Sequence, residues 1–457
     1  MTPVEMRTGG TPAERLAIAE IVLRHAEAEG ATEAEVLVDA EDAALPRFAN
    51  SEIHQNVAES SVRVSLRFVR GKRVGVAATG RTDEAALRRL AETAGRISEL
   101  VEETADWSGL PEPGPIDLVA SAYSEGTAGA SPELRAEGVR AIIAAADAAG
   151  VTAYGSFSTS VETLAIASSR GIRAAEARTS GQVITVSMGP DDGTGYAEAA
   201  AVDATTIDAA ALGREAAETA RRAARPVALE PGEYPVVLAE YAVVDILDML
   251  GYLGFSALAV EEGRSFYEPG KRIGSDLVTI RDDAGDAAGL PASFDYEGVA
   301  SEPVTLVDAG RCRDLVWDSA TAARAGRRST GHGLPAPNPY GPFPLHAQMA
   351  AGSTPRADLV RGIERGLFVT RFHYTNPVHP KLAVITGMTR DGTFLVERGE
   401  IVGPVRNLRY TMSYLDALAA VEAVSSERRL LKGFLGCVLV PAVRLESWRF
   451  TGTTGND

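Results

Sequence analysis

The chain has 457 residues, a length that corresponds to about three domains at roughly 150 residues each. Lys and Arg number 45 against 62 Asp and Glu, a net charge of −17, so the chain lacks the basic face that non-specific binding to nucleic acid or anionic lipid requires. Hydrophobic residues at 45% and charged residues at 23% fit a globular chain with ample core and exclude a disordered or collagen-like one.

Two cysteines, Cys312 and Cys437, with no CxxC, cannot make a disulfide framework. The opening MTPVEMRTGGTPAERLAIAE has no basic segment followed by an apolar one, so no secretory signal is visible. In the most apolar long stretch, residues 243–260, Asp245 and Asp248 interrupt VVDILDMLGYLGFSALAV. A charge near a bilayer centre costs about 2.5–3.5 kcal/mol, so the stretch reads as a buried helix followed by a strand. A cytoplasmic protein without membrane or nucleic-acid partners is the expectation.

In chain order, Thr11-Pro12 opens a helix over 13–29 that stops at Gly30, with Leu16, Ala19, Val22, Leu23 and Ala26 on its apolar side. Val36 and Val38 begin an alternating pattern. Residues 61–70 (SVRVSLRFVR) make the clearest period-two strand, turning through Gly71-Lys72 into 74–79. Thr82-Asp83 opens an amphipathic helix to about residue 103. After GLPEPGP at 109–115, which reads as a linker, the order returns: a helix at 132–149 opening at Ser131-Pro132, strands near 153–159, 162–169 and 182–188, and a helix near 206–224. Asp191-Asp192-Gly193 reads as a solvated turn rather than a cation site. Past Arg225-Pro226 and Glu230-Pro231-Gly232 a strand at 234–238 and a helix at 240–252 lead into short strands and Gly/Pro turns. The expected fold class is α+β: a helix and β-sheet domain over 1–110, a second over 111–228, and a larger β-rich domain with a few helices over 229–457.

Chemistry-bearing residues are sparse. The six histidines are His25, His54, His332, His346, His373 and His379; there is no HExxH, P-loop or GxSxG. His373 and His379 sit six apart between prolines, a spacing unlike two ligands on one helix face, although a metal site with Cys437 stays open. Three segments stand out. SFDYEGVAS at 293–301 carries Asp295 and Glu297 beside Gly298, either an acid–base pair or a turn held by Asp–backbone hydrogen bonds. RRSTGHGL at 327–334 places Thr330, Gly331 and His332 where a backbone could approach a peptide, or forms an ordinary surface loop. TGMTRDGTFLVERGEIVG at 386–403 reads as strand, Asp-Gly turn, strand, Gly turn, strand. NPYGPF at 338–343 reads equally as an interface element or a loop folded on its own domain.

Taken together, FDYEG at 294–298, DSATAARAGRRSTGHG at 318–333, GSTPRADLVRGIERGLFV at 352–369, TGMTRDGTFLVERGEIVGPVRN at 386–407 and VLVPAVRLESWRF at 438–450 resemble the TldD/PmbA family, also called modulators of DNA gyrase. The resemblance covers roughly residues 15–450. It implies two kinds of chain: TldD-type peptidases, with HExxxH on the helix opening the third domain and a later Cys as zinc ligands, and TldE (PmbA)-type chains that lack HExxxH and pair with a TldD-type subunit. The corresponding window here falls on residues 248–253. Asp248, Met249 and Leu253 stand in place of the His, Glu and His, and Cys437 lies near the Cys position. A lone Cys supplies neither ligand count nor general base for zinc hydrolysis. The resemblance therefore implies a TldE-type, non-metal subunit of a metallopeptidase heterodimer acting on unfolded peptides. It would be inactive alone and without a cofactor, the zinc residing in the TldD-type partner. It implies Asp295, Glu297, Gly298, Thr330, Gly331 and His332 as peptide-contacting candidates. The alternatives are a homodimeric peptide-binding module without catalysis, and a free-standing hydrolase using Asp295, Glu297, His332, His373 or Cys437.

Overall fold

The computed structural model describes residues 10–453; the first nine residues of the segment read for a signal, and the outer ends of the first and last expected domains, lie outside the described residues. Helix α1 (Pro12–Ala28) starts where the sequence places it, because Thr11 and Glu14 cap one another reciprocally and Pro12 occupies the first turn. Strands β1 (Glu33–Ala49) and β2 (Glu52–Arg70) form one long hairpin. Asn50 and Ser51, both left-handed at φ 52° and 58°, close it with a backbone twist that matches the strands. Strand β3 (Arg73–Thr79) returns through Gly71-Lys72, and α2 (Glu84–Leu100) is capped by Asp83, ending three residues before the expected 103.

The second block runs α3 (Glu125–Ala128), α4 (Pro132–Ala149), β4 (Thr152–Ser168), β5 (Arg173–Met188), β6 (Thr194–Ala201) and α5 (Ala209–Arg222). The two strands expected at 153–159 and 162–169 are the single strand β4, because pairing to β1 on one side and β5 on the other runs through residues 160 and 161. Antiparallel β1–β4 pairing merges both blocks into one six-stranded sheet, β3-β2-β1-β4-β5-β6. Asp191-Asp192 is the turn into β6, its Asp191 carboxylate 2.9 Å from Arg225.

Side chains alternate across this sheet. Val36, Val38, Val64, Leu66 and Phe68 pack under α1 and α2, and Phe157, Val183 and Ala197 pack under α4 and α5. The opposite face presents Leu37, Leu164 and Ile166 to Phe294 of the C-terminal region, so the sheet is covered on both sides.

That region begins with β7 (Glu233–Leu238), α6 (Glu240–Gly254) and α7 (Ala257–Glu261); the end of the 243–260 stretch, expected as a strand, is helical from Ala257 on. Next come β8 (Ile280–Asp282), β9 (Val304–Asp308), β10 (Arg311–Cys312), α8 (Ser319–Arg324) and β11 (His346–Met349). After them come β12 (Arg365–His379), β13 (Val384–Glu397), β14 (Glu400–Pro404), β15 (Leu408–Ser413), α9 (Tyr414–Ala419), β16 (Val421–Lys432) and β17 (Cys437–Thr453). The path β17-β15-β13-β12-β7 closes when β7 pairs back to β17, giving a barrel-like circuit with no free edge along those strands. Ile246, Leu247, Leu250 and Leu253 of α6 share its core with Phe372, Tyr410 and Trp448. Asp391-Gly392 is not a hairpin turn: β13 continues through it as a bulge against β12, with Asp391 and Arg371 ion-paired across the strands. No helix among the described residues is long and apolar enough to cross a membrane.

Candidate functional site

Helix α6 follows β7 directly and carries three carboxylates on an otherwise apolar sequence: Glu240 in its first turn, paired with Arg356, and Asp245 and Asp248 further along. Asp245 accepts hydrogen bonds from the Tyr414 hydroxyl at 2.5 Å and the Thr375 hydroxyl at 2.7 Å, and burial pushes its acid up to about 6. One turn on, Asp248 accepts the Phe434 N–H at 2.9 Å. Burial lifts Asp248 to about 7, and the Asp245 and Glu198 charges add to the lift.

Asp248 faces a cleft of about 600 Å³ between the N-terminal sheet and the C-terminal region. Its walls come from Asp39 of β1, from Met249 and Tyr252 of α6, from Tyr296, from the proline-rich segment 334–343, and from Phe434 and Leu435 in the β16–β17 loop. A second hollow of about 270 Å³ adjoins it, sharing Tyr296, Leu345, Phe434 and Leu435 and adding Glu162, Arg178, His346, Lys432 and Cys437. One end is thus apolar and aromatic and the other polar. Arg178 pairs with Glu162 at 2.9 Å, and Lys432 Nζ donates to Ser180 Oγ at 3.2 Å. Burial and Glu162 push Asp39 up to about 6, and burial holds His346 down at about 4, neutral at physiological pH.

The sequence candidates occupy three environments. Asp295 Oδ1 accepts the Glu297 and Val299 N–H groups and Oδ2 accepts the Gly333 N–H, so the 293–301 turn is held by Asp–backbone bonds and tied to the 327–334 loop. Glu297 accepts the Ser319 N–H at 2.9 Å and lies 3.5 Å from Arg67. Thr330 Oγ1 and His332 Nδ1 are 2.9 Å apart, and His332 Nε2 is 2.9 Å from Asp282. Gly298 and Gly331 are left-handed and buried. These residues form one internal knot: Asp295, Glu297 and His332 are only 5%, 5% and 3% exposed, and none of the three lines either hollow. From the first motif it is Tyr296, between the two carboxylates, that reaches the cleft; aromatic residues at loop tips are the signal that could have found it. The 338–343 segment is braced internally by Asn338–Gly341 and Asn338–Tyr340 hydrogen bonds, is tied to its own domain by the Phe343 N–H donating to His332 O at 3.2 Å, and still presents Tyr340 to the cleft.

Of the residues at the HExxxH window, Asp248 and Met249 line the cleft, while Leu253 is buried in the core. Cys437 lines the polar hollow beside His346, its register partner, with its thiol pushed up to about 12 by burial. His373 and His379 lie on β12 and line neither hollow. Among the described residues no three of His, Cys, Asp and Glu converge to hold a metal ion. A zinc ion does not fit this donor set: burial disfavours the ionised form of Asp248, Leu253 has no donor atom, and burial likewise disfavours the Cys437 thiolate.

Residues 231–452 match the PmbA/TldA metallopeptidase C-terminal domain, and residues 47–98 match PmbA/TldA metallopeptidase domain 1. The chain belongs to the TldD/PmbA family. It is 27% identical over 226 residues to the zinc metalloprotease TldD homolog of Saccharolobus solfataricus (44% of this chain, 46% of that one). It is also 27% identical over 232 residues to a metalloprotease of Methanothermobacter thermautotrophicus (49% and 50%). The chain thus spans about half the length of the curated relatives it matches. The crystal structure of TldE from Thermococcus kodakarensis superposes with a TM-score of 0.87 at 21% identity, over 95% of this chain and 100% of that one, which establishes the shared TldD/PmbA fold.

Proposed function

We propose that this chain is the non-metal, peptide-receiving subunit of a TldD/TldE-type metallopeptidase, pairing with a zinc-bearing TldD-type chain and holding extended, unfolded peptide in the cleft between its sheets. The observation that carries the reading is the cleft itself. It has the volume of a ligand site, an aromatic and proline-rich wall at one end and polar groups at the other. Where the family resemblance implies His, Glu and His in a TldD-type chain, this chain offers Asp248, Met249 and Leu253. Tyr296 and Phe434, shared by both hollows, are the expected peptide contacts; the buried Asp295, Glu297, Gly298, Thr330, Gly331 and His332 would position Tyr296 and the segment after Gly333 rather than touch peptide. Cytoplasmic location belongs to the same reading.

A tagged pull-down from the host, with co-purifying chains identified by mass spectrometry, tests the pairing. A stoichiometric HExxxH-bearing partner is expected, together with no peptide cleavage by the pure chain in zinc. Binding of a fluorescent unfolded peptide should weaken at least about 10-fold in Tyr296→Ala, since losing an aromatic anchor removes about 1.4 kcal/mol or more. Zinc-dependent hydrolysis by the single chain would overturn the reading in favour of a free-standing hydrolase. Recovery only as a self-paired complex that binds peptide would favour a homodimeric binding module.

A further inference from the structure

A hollow of about 780 Å³ lies mostly on the helix-bearing side of the N-terminal sheet, where α1, α3 and α4 leave a gap over β1, β4 and β5; it shares Ser160 with the polar hollow and no residue with the 600 Å³ cleft. Arg135, in the first turn of α4, lines it and is 4% exposed. Its Nη1 donates to Ala130 O at 3.1 Å and to Thr159 Oγ1 at 2.9 Å, while its Nε is buried without a hydrogen-bond partner. Among the described residues no carboxylate lies within ion-pair distance of it. Two deeply placed guanidiniums on the sheet itself are both paired, Arg67 with Glu35 and Glu297, and Arg178 with Glu162 and Glu176. A buried charge left unpaired is strongly unfavourable, and the N-terminal end of α4 adds positive potential at the same place. Burial pushes the Arg135 guanidinium below its ordinary range, and the Glu133 charge, outside ion-pair distance, does not offset it.

The rest of the lining selects among anions. Glu14, Asp42, Glu59 and Glu125 contribute to the same cavity, so a purely anionic ligand meets repulsion around it. We propose that this cavity binds a small zwitterion, a free amino acid or short peptide, with its carboxylate on Arg135 and its ammonium toward the acidic lining. The site lies outside the peptide cleft and does not depend on the reading given for it.

Isothermal titration of the full chain with L-alanyl-L-alanine tests this, with N-acetyl-L-alanine and ethylamine as single-charge controls. The dipeptide is expected to bind, with N-acetyl-L-alanine at least 10-fold weaker and ethylamine silent. Binding should be lost in Arg135→Met and unchanged in Tyr296→Ala, which separates this site from the cleft. Without ligand, Arg135→Met should melt no lower than the parent, a result that a purely structural arginine would not give. Should that variant fail to fold, Ala177→Leu, which fills the cavity from β5 and leaves Arg135 in place, is expected to abolish binding. No dipeptide binding by the parent chain, or binding retained in the folded variants, overturns the proposal.

Discussion

Asp248 and Phe434 are joined by a 2.9 Å hydrogen bond from the Phe434 N–H to the Asp248 carboxylate, which ties α6 to the tip of the β16–β17 loop. Phe434 is 73% exposed, and the adjacent Gly433 packs so closely that a Cβ there would sit 2.5 Å from Asp248 Oδ1. Asp248→Ala should free the loop, seen as at least about 10-fold faster hydrogen exchange at the Phe434 amide. Asp248→Asn keeps an acceptor oxygen and should preserve protection. The acid is raised from 3.8 to about 7 in the folded chain, so the folded state binds its proton more tightly than the unfolded state does. Its contribution is therefore full below about pH 4 and is lost as pH rises to 7 and above. Unfolding free energies of Asp248→Asn from urea titrations across pH 4–8 should fall less than those of the parent, by on the order of 2 kcal/mol after solvent screening.

The Asp282–His332 pair behaves with the opposite sign. Burial pushes Asp282 up, but His332, His346 and the His346 N–H outweigh it and hold the carboxyl below its ordinary value. A depressed acid contributes stability above its unfolded pKa and loses it as pH falls through the folded one, so this pair should drive unfolding below about pH 4. His332→Ala removes one hydrogen-bond partner of a buried carboxylate, leaving it the His346 N–H at 2.7 Å, and should cost about 2–3 kcal/mol in urea denaturation at pH 7. A loss below about 1 kcal/mol would show the knot to be slack.

Local chemistry made the secondary structure legible. Thr11-Pro12, Asp83 and Ser131-Pro132 are caps whose geometry needs only neighbouring residues, and the alternation in 61–70 specifies a strand half-buried on one face. What the sequence could not reveal is nonlocal. The pairing of Val36 with Ala167 and of Asp42 with Val161, which fuses two blocks into one sheet, depends on residues more than 100 positions apart. Asp391-Gly392 looks like a hairpin turn, but tertiary pairing on both sides and the buried Arg371 contact keep β13 running through it. At the site, acid–base residue types drew attention to Asp295 and Glu297, yet burial is set by which loop lies over them. Tyr296, between the two, points the other way.

Arg67 serves two carboxylates, Glu35 and Glu297, at the junction of the N-terminal sheet with the 293–301 turn. Burial raises Glu35 to about 7, against the pull of Arg67, and its Oε2 has no partner. Removing the cation leaves both acids exposed to that burial, so Arg67→Met should lose about 3–5 kcal/mol. Glu35→Gln should lie within about 1 kcal/mol of the parent at pH 8, because the side chain it replaces is itself costly to ionise. Paired urea titrations at pH 8 compare the two directly; equal losses would mean that Arg67 acts through packing of its stem.

Gly331 is left-handed at φ 70°, and a Cβ there would approach the Ala300 carbonyl oxygen to 2.2 Å. Both facts disfavour any side chain: the conformation resists L-residues, and the obstacle is backbone that cannot rotate away. Gly331→Ala should therefore push the 327–334 loop off the 293–301 turn, loosening the Gly333 N–H to Asp295 bond and with it the Tyr296 wall of the cleft. The expected stability loss is about 2–4 kcal/mol, with faster amide exchange at both segments while β12–β13 keep parental protection. Exchange that rose uniformly would instead indicate global destabilisation, and parental exchange throughout would show that the two loops are not coupled.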